Sequence, residues 1–124
     1  MQHFILNELP PSTNHSHFIK RLPSGQVLRI PKKATKDFRE FCGWQAKAQG
    51  ITRQDGYLKV SVAASYGMYK NGKPKVGDVH NLTKELLDAL NGIAYTDDSQ
   101  VIELTIRREF TEKIGVSVTI DTFS

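Results

Sequence analysis

The sequence is poor in cysteine and has no long apolar run. Cys42 is the only cysteine, so an intramolecular disulfide is excluded, and its position on the apolar face of a predicted helix favours a buried free thiol. No run approaches the roughly 18 apolar residues of a membrane-spanning helix, and the first residues lack a basic region followed by an apolar stretch. We therefore expect a protein of the reducing cytoplasm that is neither secreted nor embedded in a membrane.

The sequence also lacks internal repeats, low-complexity tracts and linkers. Its 124 residues therefore predict one domain over residues 1–124, with little core to spare, which favours a dimer. Acidic residues are in the minority, since 13 aspartates and glutamates accompany 17 lysines and arginines, for a net charge of +4. An excess of positive charge favours a polyanionic partner, because lysine or arginine beside a phosphate releases condensed counterions.

Basic residues are concentrated in two segments, the start of the first predicted helix and the loop between Gly67 and Gly77. The candidate nucleic-acid contacts in these segments are Lys32, Lys33, Lys36, Lys70, Lys73, Lys75 and the aromatic Tyr69. An aromatic ring among lysines is suited to stacking on unpaired bases. A solvated basic face, with ordinary packing of the ring, is the alternative interpretation.

Hydrophobic periodicity predicts an α+β fold in which two main helices pack on a single mixed β-sheet. The predicted helices cover residues 34–49 and 82–90, the first with a face of Phe38, Phe41, Cys42, Gln45 and Ala48. The predicted strands cover residues 3–6, 27–30 with a possible hairpin partner at 18–19, 58–64, 101–110 and 113–121. We expect the last two strands to form a hairpin across Thr111 and Glu112, and residues 67–77 to form a flexible loop.

Candidate catalytic residues are concentrated between residues 77 and 100. They are Asp78, His80, Lys84, Asp97 and Asp98, and they lie before, within and after the second predicted helix. Asn81 is the predicted N-cap, and the Asn91-Gly92 pair predicts the end of the helix. Alternation in an extended segment would direct Asp78 and His80 to the same side. By the same rule Asp97 and Asp98 face opposite ways, so we expect only one of them to be a direct metal ligand.

Each of these residues also has an ordinary structural explanation. Asp78 and Asn81 are suited to capping the helix, Lys84 and Asp88 are one turn apart as in a surface ion pair, and the two later aspartates are typical of a solvated turn. The functional interpretation depends on finding all of them together, in this order and at this spacing.

The order and spacing resemble those of the RusA family of Holliday junction resolvases. The family pattern Asp-x-Asp-Asn-x-x-Lys is similar to residues 78–84, its Leu-Asp-Ala-Leu helix to residues 87–90, and its Asp-Asp-x-Gln-Val to residues 97–101. The similarity is dense over these two dozen or so residues and looser elsewhere, where it includes an N-terminal strand followed by Pro10, Pro11 and Asn14. His80 departs from the pattern, because the family has an aspartate at that position.

The resemblance implies a homodimer that binds four-way DNA junctions and uses Mg²⁺ or Mn²⁺ to nick two opposed strands symmetrically during DNA recombination and repair. By the same resemblance, Asp78, His80 and Asp98 would be the metal ligands, and Lys84 would bind the scissile phosphate or stabilise charge that grows on it. Hard divalent ions prefer the oxygen ligands that carboxylates supply. The DNA substrate would lie in the nucleoid.

Three interpretations of His80 are open. In the first, a neutral imidazole replaces the carboxylate as a ligand, which favours manganese over magnesium. In the second, His80 acts as a general base or leaving-group acid, since histidine titrates near neutral pH. In the third, loss of the carboxylate leaves a protein that binds junctions without cutting them.

Overall fold

The computed structural model describes residues 1–11, 17–31 and 33–123. The elements are β1 (Gln2–Leu6), β2 (His17–Arg21), β3 (Val27–Pro31), α1 (Lys33–Ala48), β4 (Leu58–Tyr66), α2 (Val79–Ala89), a short 3-10 helix (Asp98–Gln100), β5 (Val101–Arg108) and β6 (Ile114–Thr122). Within these ranges no helix is long and apolar enough to cross a membrane.

One mixed, four-stranded sheet forms the centre of the fold, with the strand order β1-β6-β4-β5. β1 pairs antiparallel with β6, β6 antiparallel with β4, and β4 parallel with β5. The prediction of an α+β fold with two helices and a mixed sheet is confirmed. The predicted hairpin between β2 and β3 is also present, as a separate two-stranded antiparallel sheet.

The predicted hairpin between the last two strands is wrong. β5 and β6 do not pair with each other, because each of them pairs with β4, on opposite edges of that strand. Burial explains why β4 occupies the interior position: Val62, Ala63, Ala64 and Ser65 are all buried, so β4 is covered on both faces along this stretch. β5 is consequently left at an edge of the sheet.

The hydrophobic core lies between the sheet and the two helices. It is formed chiefly by Phe4, Leu6, Leu58, Val60, Val62, Val116, Val118 and Ile120 from the strands and by Phe38, Cys42, Ala46, Leu82, Leu86 and Ala89 from the helices. Of the predicted face of α1, Phe38 and Cys42 are buried, whereas Ala48 is exposed. Burial raises the pKa of the Cys42 thiol to about 12, which confirms a buried free cysteine.

α2 begins three residues earlier than predicted, at Val79, and its N-cap is Asp78 rather than Asn81. The Asp78 carboxylate accepts hydrogen bonds from the amides of both His80 and Asn81, so it satisfies two of the free donors of the first turn. The helix ends before Gly92, as expected, and Gly92 has a φ of 80° that favours glycine. α2 connects two parallel strands, so it begins at the carboxyl ends of β4 and β5 and ends near their amino ends.

Candidate active site

Asp78 lies at the carboxyl end of the β4–β5 pair, where α2 starts. Its Oδ1 accepts 3.2 Å hydrogen bonds from the amides of His80 and Asn81, and its Oδ2 accepts a 2.7 Å hydrogen bond from the Nδ2 of Asn81. Asp78 also lines a cleft of about 150 Å³ whose other walls are Leu9, Pro10, Pro11, Tyr66, Asn81 and Leu82. The carboxylate is exposed, so it is accessible to a ligand entering the cleft.

His80 and Lys84 lie one turn apart on an exposed face of α2, and Asp98 joins them at the same surface. These three residues line an open groove of about 290 Å³ together with Thr83, Leu87, Leu104 and Ile106. The expectation that Asp78 and His80 share one side of an extended segment is wrong, because His80 belongs to the first turn of the helix. The helix directs Asp78 to the cleft and His80 to the groove.

Asp97 and Asp98 have different environments, as expected for adjacent residues. Asp97 caps the short 3-10 helix: hydrogen bonds from the side chain and backbone of Ser99 hold the pKa of this carboxyl below its ordinary value. Asp98 is partly buried and faces Asp88 of α2. Loss of hydration, a side-chain hydrogen bond with Asp88 and the charges of Asp97 and Asp88 raise the pKa of Asp98.

Asp88 is a residue of this site that the sequence pattern did not identify. Its spacing suggests a surface ion pair with Lys84, but among the described residues no ion pair joins the two side chains. Asp88 interacts instead with Asp98, whose pKa it helps to raise. A signal was present in the Leu-Asp-Ala-Leu segment, where the aspartate interrupts an otherwise apolar stretch of the helix.

Asp78 and Asp98 lie near opposite ends of α2, since Asp78 caps its first turn and Asp98 interacts with Asp88 in its last turn. An 11-residue helix rises about 16 Å over its length. The described part of the chain holds no group of three or more histidine, cysteine, aspartate or glutamate side chains arranged to bind one metal ion. Coordination of a single ion by Asp78, His80 and Asp98 stays a prediction.

The pair formed by Asp88 and Asp98 has the donor chemistry that Mg²⁺ or Mn²⁺ requires. The nearby Asp88 carboxylate disfavours the ionised form of Asp98, which contributes to the raised pKa of Asp98. A divalent cation would remove that repulsion and accept oxygen ligands from both groups.

Tyr66 and Arg108 surround the residue that precedes Asp78. Arg108, the last residue of β5, donates hydrogen bonds from Nε and Nη2 to the carbonyl oxygen of Gly77 at 3.3 and 3.1 Å. Tyr66, the last residue of β4, is half-buried, and loss of hydration and the charge of Asp78 raise the pKa of its hydroxyl against the opposing effect of Arg108. The sequence pattern did not predict that either residue contacts Gly77.

The basic loop between β4 and α2 is closed by its own hydrogen bonds. The amide of Tyr69 donates to the carbonyl of Lys73, and Met68 forms a β-bridge with Pro74. The Nζ of Lys75 lies 5.2 Å from the centre of the exposed Tyr69 ring. The remaining candidate DNA contacts, Lys33, Lys36, Lys70 and Lys73, are exposed, while Lys32 lies outside the described residues.

Comparison with known sequences decides the family. The sequence model of the endodeoxyribonuclease RusA family matches residues 8–121, which is nearly the whole chain. The chain belongs to the RusA family. Membership implies Holliday junction resolvase nuclease activity on branched DNA, and it places α2 with its flanking aspartates within the RusA-like region. A search of curated proteins finds no match to the sequence.

Proposed function

We propose that this RusA family member is a metal-dependent, structure-selective endodeoxyribonuclease that resolves four-way DNA junctions by paired, symmetric nicks. The observation that carries the proposal is the family match over residues 8–121. The grouping of His80, Lys84 and Asp98 along one groove supports it, because a phosphodiester nuclease needs acidic and cationic groups at one surface. The proposed setting is the cytoplasm, with nucleoid DNA as the substrate.

In this proposal Asp98 and Asp88 provide one carboxylate pair for Mg²⁺ or Mn²⁺ near the end of α2, and Asp78 and His80 provide separate ligands near its start. A bound divalent ion would neutralise the scissile phosphate and activate the attacking water. Lys84 lies on the groove between the two ends of α2. Its ammonium group would hold a phosphate oxygen and stabilise the charge that develops on it.

The basic residues of the loop are proposed to bind the arms of the junction. Lys70, Lys73 and Lys75 are exposed on the loop that leads directly into Asp78, so DNA held by them would also reach the start of α2. The Tyr69 side chain is 59% exposed, so its ring is accessible for stacking on an unpaired base. Lys33 and Lys36, exposed on the first turns of α1, are proposed as additional phosphate contacts.

A homodimer is part of the proposal, since symmetric nicking of two opposed strands requires two equivalent sites. The open edge of the sheet supports it: Ile102 and Leu104 of β5 are 48% and 41% exposed, and Leu104 lines the same groove as Asp98. Light scattering on the purified protein tests this part. A mass of one chain at micromolar concentration would contradict it.

The test of the function uses a labelled four-way junction and a linear duplex of matched sequence. The protein is incubated with each substrate in magnesium, in manganese and in EDTA, and the nicks are mapped on all four strands. We expect nicks on two opposed strands of the junction, none in EDTA and far fewer on the duplex. Equal cutting of the two substrates would contradict junction selectivity, and cutting in EDTA would contradict metal dependence.

A second candidate function is binding of junctions without cleavage. The observation that favours it is the state of Asp78, whose two carboxylate oxygens already accept three hydrogen bonds as a helix cap. His80 adds to it, because this residue replaces the aspartate of the family motif. Tight junction binding without nicks in either metal, together with nicking by the His80→Asp variant, would establish this alternative.

A further inference from the structure

Tyr66 and Gly77 are in unusually close contact beside the start of α2. A Cβ atom added to Gly77 would lie 2.0 Å from Cε1, 2.3 Å from Cζ and 2.5 Å from Cδ1 of the Tyr66 ring. No residue with a side chain fits at position 77 unless the ring moves. The ring therefore packs directly against the backbone of the residue that precedes Asp78.

The same backbone is held from a second direction by Arg108, which donates two hydrogen bonds to the carbonyl oxygen of Gly77. β4 contributes Tyr66 and its parallel neighbour β5 contributes Arg108, so two adjacent strands end at this point. The position of the Tyr66 ring relative to Asp78 is therefore determined by the sheet.

The hydroxyl group of Tyr66 is buried and has no hydrogen-bond partner within the described part of the chain. A buried hydroxyl without a partner destabilises the fold, and buried tyrosines usually find a hydrogen-bond partner. Tyr66 and Asp78 line the same cleft, and the charge of Asp78 acts on the Tyr66 hydroxyl. A hydroxyl donor without a partner among the described residues thus belongs to the same cleft as the candidate catalytic carboxylate.

We propose that Tyr66 is a positioning residue whose hydroxyl donates a hydrogen bond to the Asp78 carboxylate when that carboxylate turns from the helix cap toward a divalent cation. The inference rests on the proposed function. Turning toward a ligand costs Asp78 part of its three hydrogen bonds, and the Tyr66 hydroxyl replaces one of them. Because the ring is fixed between Gly77 and the cleft, the new hydrogen bond also fixes the orientation of the carboxylate.

The test compares Tyr66→Phe with wild type and with Tyr57→Phe, which makes the same chemical change at an exposed tyrosine. Three quantities are measured: the melting temperature without metal, the rise in melting temperature caused by manganese, and the nicking rate on a four-way junction. We expect Tyr66→Phe to melt at or above the wild-type temperature, since it removes a buried hydroxyl that has no partner. We also expect a smaller manganese-induced rise and roughly tenfold slower nicking, the effect of one lost hydrogen bond.

The outcomes separate this inference from the proposed function. If wild type nicks junctions and Tyr66→Phe nicks equally fast, the inference fails and the nuclease proposal stands. If wild type does not nick, but manganese stabilises it more than it stabilises Tyr66→Phe, the inference stands and the nuclease proposal fails. A melting temperature that falls in Tyr66→Phe, with an unchanged response to manganese, would make Tyr66 a structural residue only and overturn the inference.

Discussion

Asn81 donates a 2.7 Å hydrogen bond from its side-chain Nδ2 to Oδ2 of Asp78, three residues earlier in the chain. Backbone amides bind the other oxygen of the same carboxylate, so the candidate catalytic residue is also the N-cap of α2. The two roles can be separated by substitution, because asparagine caps helices about as well as aspartate whereas alanine does not.

Asp78→Asn is expected to keep the cap and lose the chemistry. Its melting temperature should stay near that of wild type, its nicking should be lost, and its junction binding should stay the same or become tighter because one negative charge is removed. Asp78→Ala should lose nicking and also about 1 kcal/mol of stability. Thermal melting, gel-shift binding and junction nicking measure the three properties. Wild-type nicking by Asp78→Asn would remove Asp78 from the site.

The pair formed by Asp88 and Asp98 predicts a pH-dependent gain in stability on substitution. The pKa of Asp98 is raised above its ordinary value of 3.8, so the folded protein favours the protonated carboxyl. The stability that the protonated carboxyl contributes is fully present below pH 3.8 and is lost as pH rises through the raised pKa. At neutral pH the ionised carboxylate of Asp98 therefore destabilises the fold. Asp98→Asn should raise the melting temperature at pH 7 by about 2 °C. This rise corresponds to a gain of roughly 0.5 kcal/mol in the free energy of unfolding, a size that allows for screening by solvent. The gain should vanish as pH falls toward 3.8.

Asp97→Asn is the matched control for this experiment, with the opposite sign. Hydrogen bonds from Ser99 lower the pKa of Asp97, so its stabilising contribution is present at neutral pH and is lost as pH falls. The variant should therefore melt at or below the wild-type temperature at pH 7. A gain of equal size in both variants would point to general charge reduction rather than to the Asp88–Asp98 contact.

Divalent cations should stabilise the wild-type protein through the carboxylates of Asp88 and Asp98. A ligand that binds only the folded state adds about 2.7 kcal/mol when its concentration is 100 times its Kd. We expect manganese to raise the melting temperature of wild type, and expect a much smaller rise in Asp88→Asn and Asp98→Asn. Removing the metal with EDTA should reverse the rise. An equal rise in all three proteins would place the ion elsewhere.

Replacement of His80 by aspartate should change the choice of metal. The imidazole of His80 lacks the negative charge of the aspartate in the family motif, and this loss weakens binding of magnesium more than binding of manganese. Wild type should therefore nick faster in manganese, and His80→Asp should raise nicking in magnesium. Single-turnover rates in the two metals measure the ratio. Loss of nicking by His80→Asp in both metals would favour the general acid or base role instead.

Removal of two lysines from the basic loop should weaken binding and its salt dependence. The double variant with Lys73→Ala and Lys75→Ala should bind the junction more weakly. The slope of the logarithm of its affinity against the logarithm of the salt concentration should become shallower by about 0.9 for each phosphate that is no longer neutralised. Lys59→Ala is the control, since Lys59 lies on the sheet face opposite the helices and its nearest acidic partner is Glu103. An unchanged slope in the double variant would place the DNA on another surface.

Local patterns in the sequence determined much of this protein. Periodicity located α1 to within one residue at each end, alternation located β4, and short apolar runs located the β2–β3 hairpin, because these features depend on neighbours in the chain. The spacing of Asp78, Lys84, Asp97 and Asp98 around one helix indicated the RusA family, which the match over residues 8–121 confirms. Residue types at fixed spacing are a property of the sequence itself.

Tertiary structure decided what depends on distant parts of the chain. Whether β6 pairs with β5 or with β4 is determined by which strand is covered on both faces, and no local pattern near residues 111–112 carries that information. Asp78 is the N-cap of α2 because the Asp78 carboxylate accepts hydrogen bonds from two amides of the first turn. Likewise, only the fold brings Asp98 to Asp88 and places Tyr66 and Arg108 on either side of Gly77, since parallel strands joined by a helix bring together residues far apart in sequence.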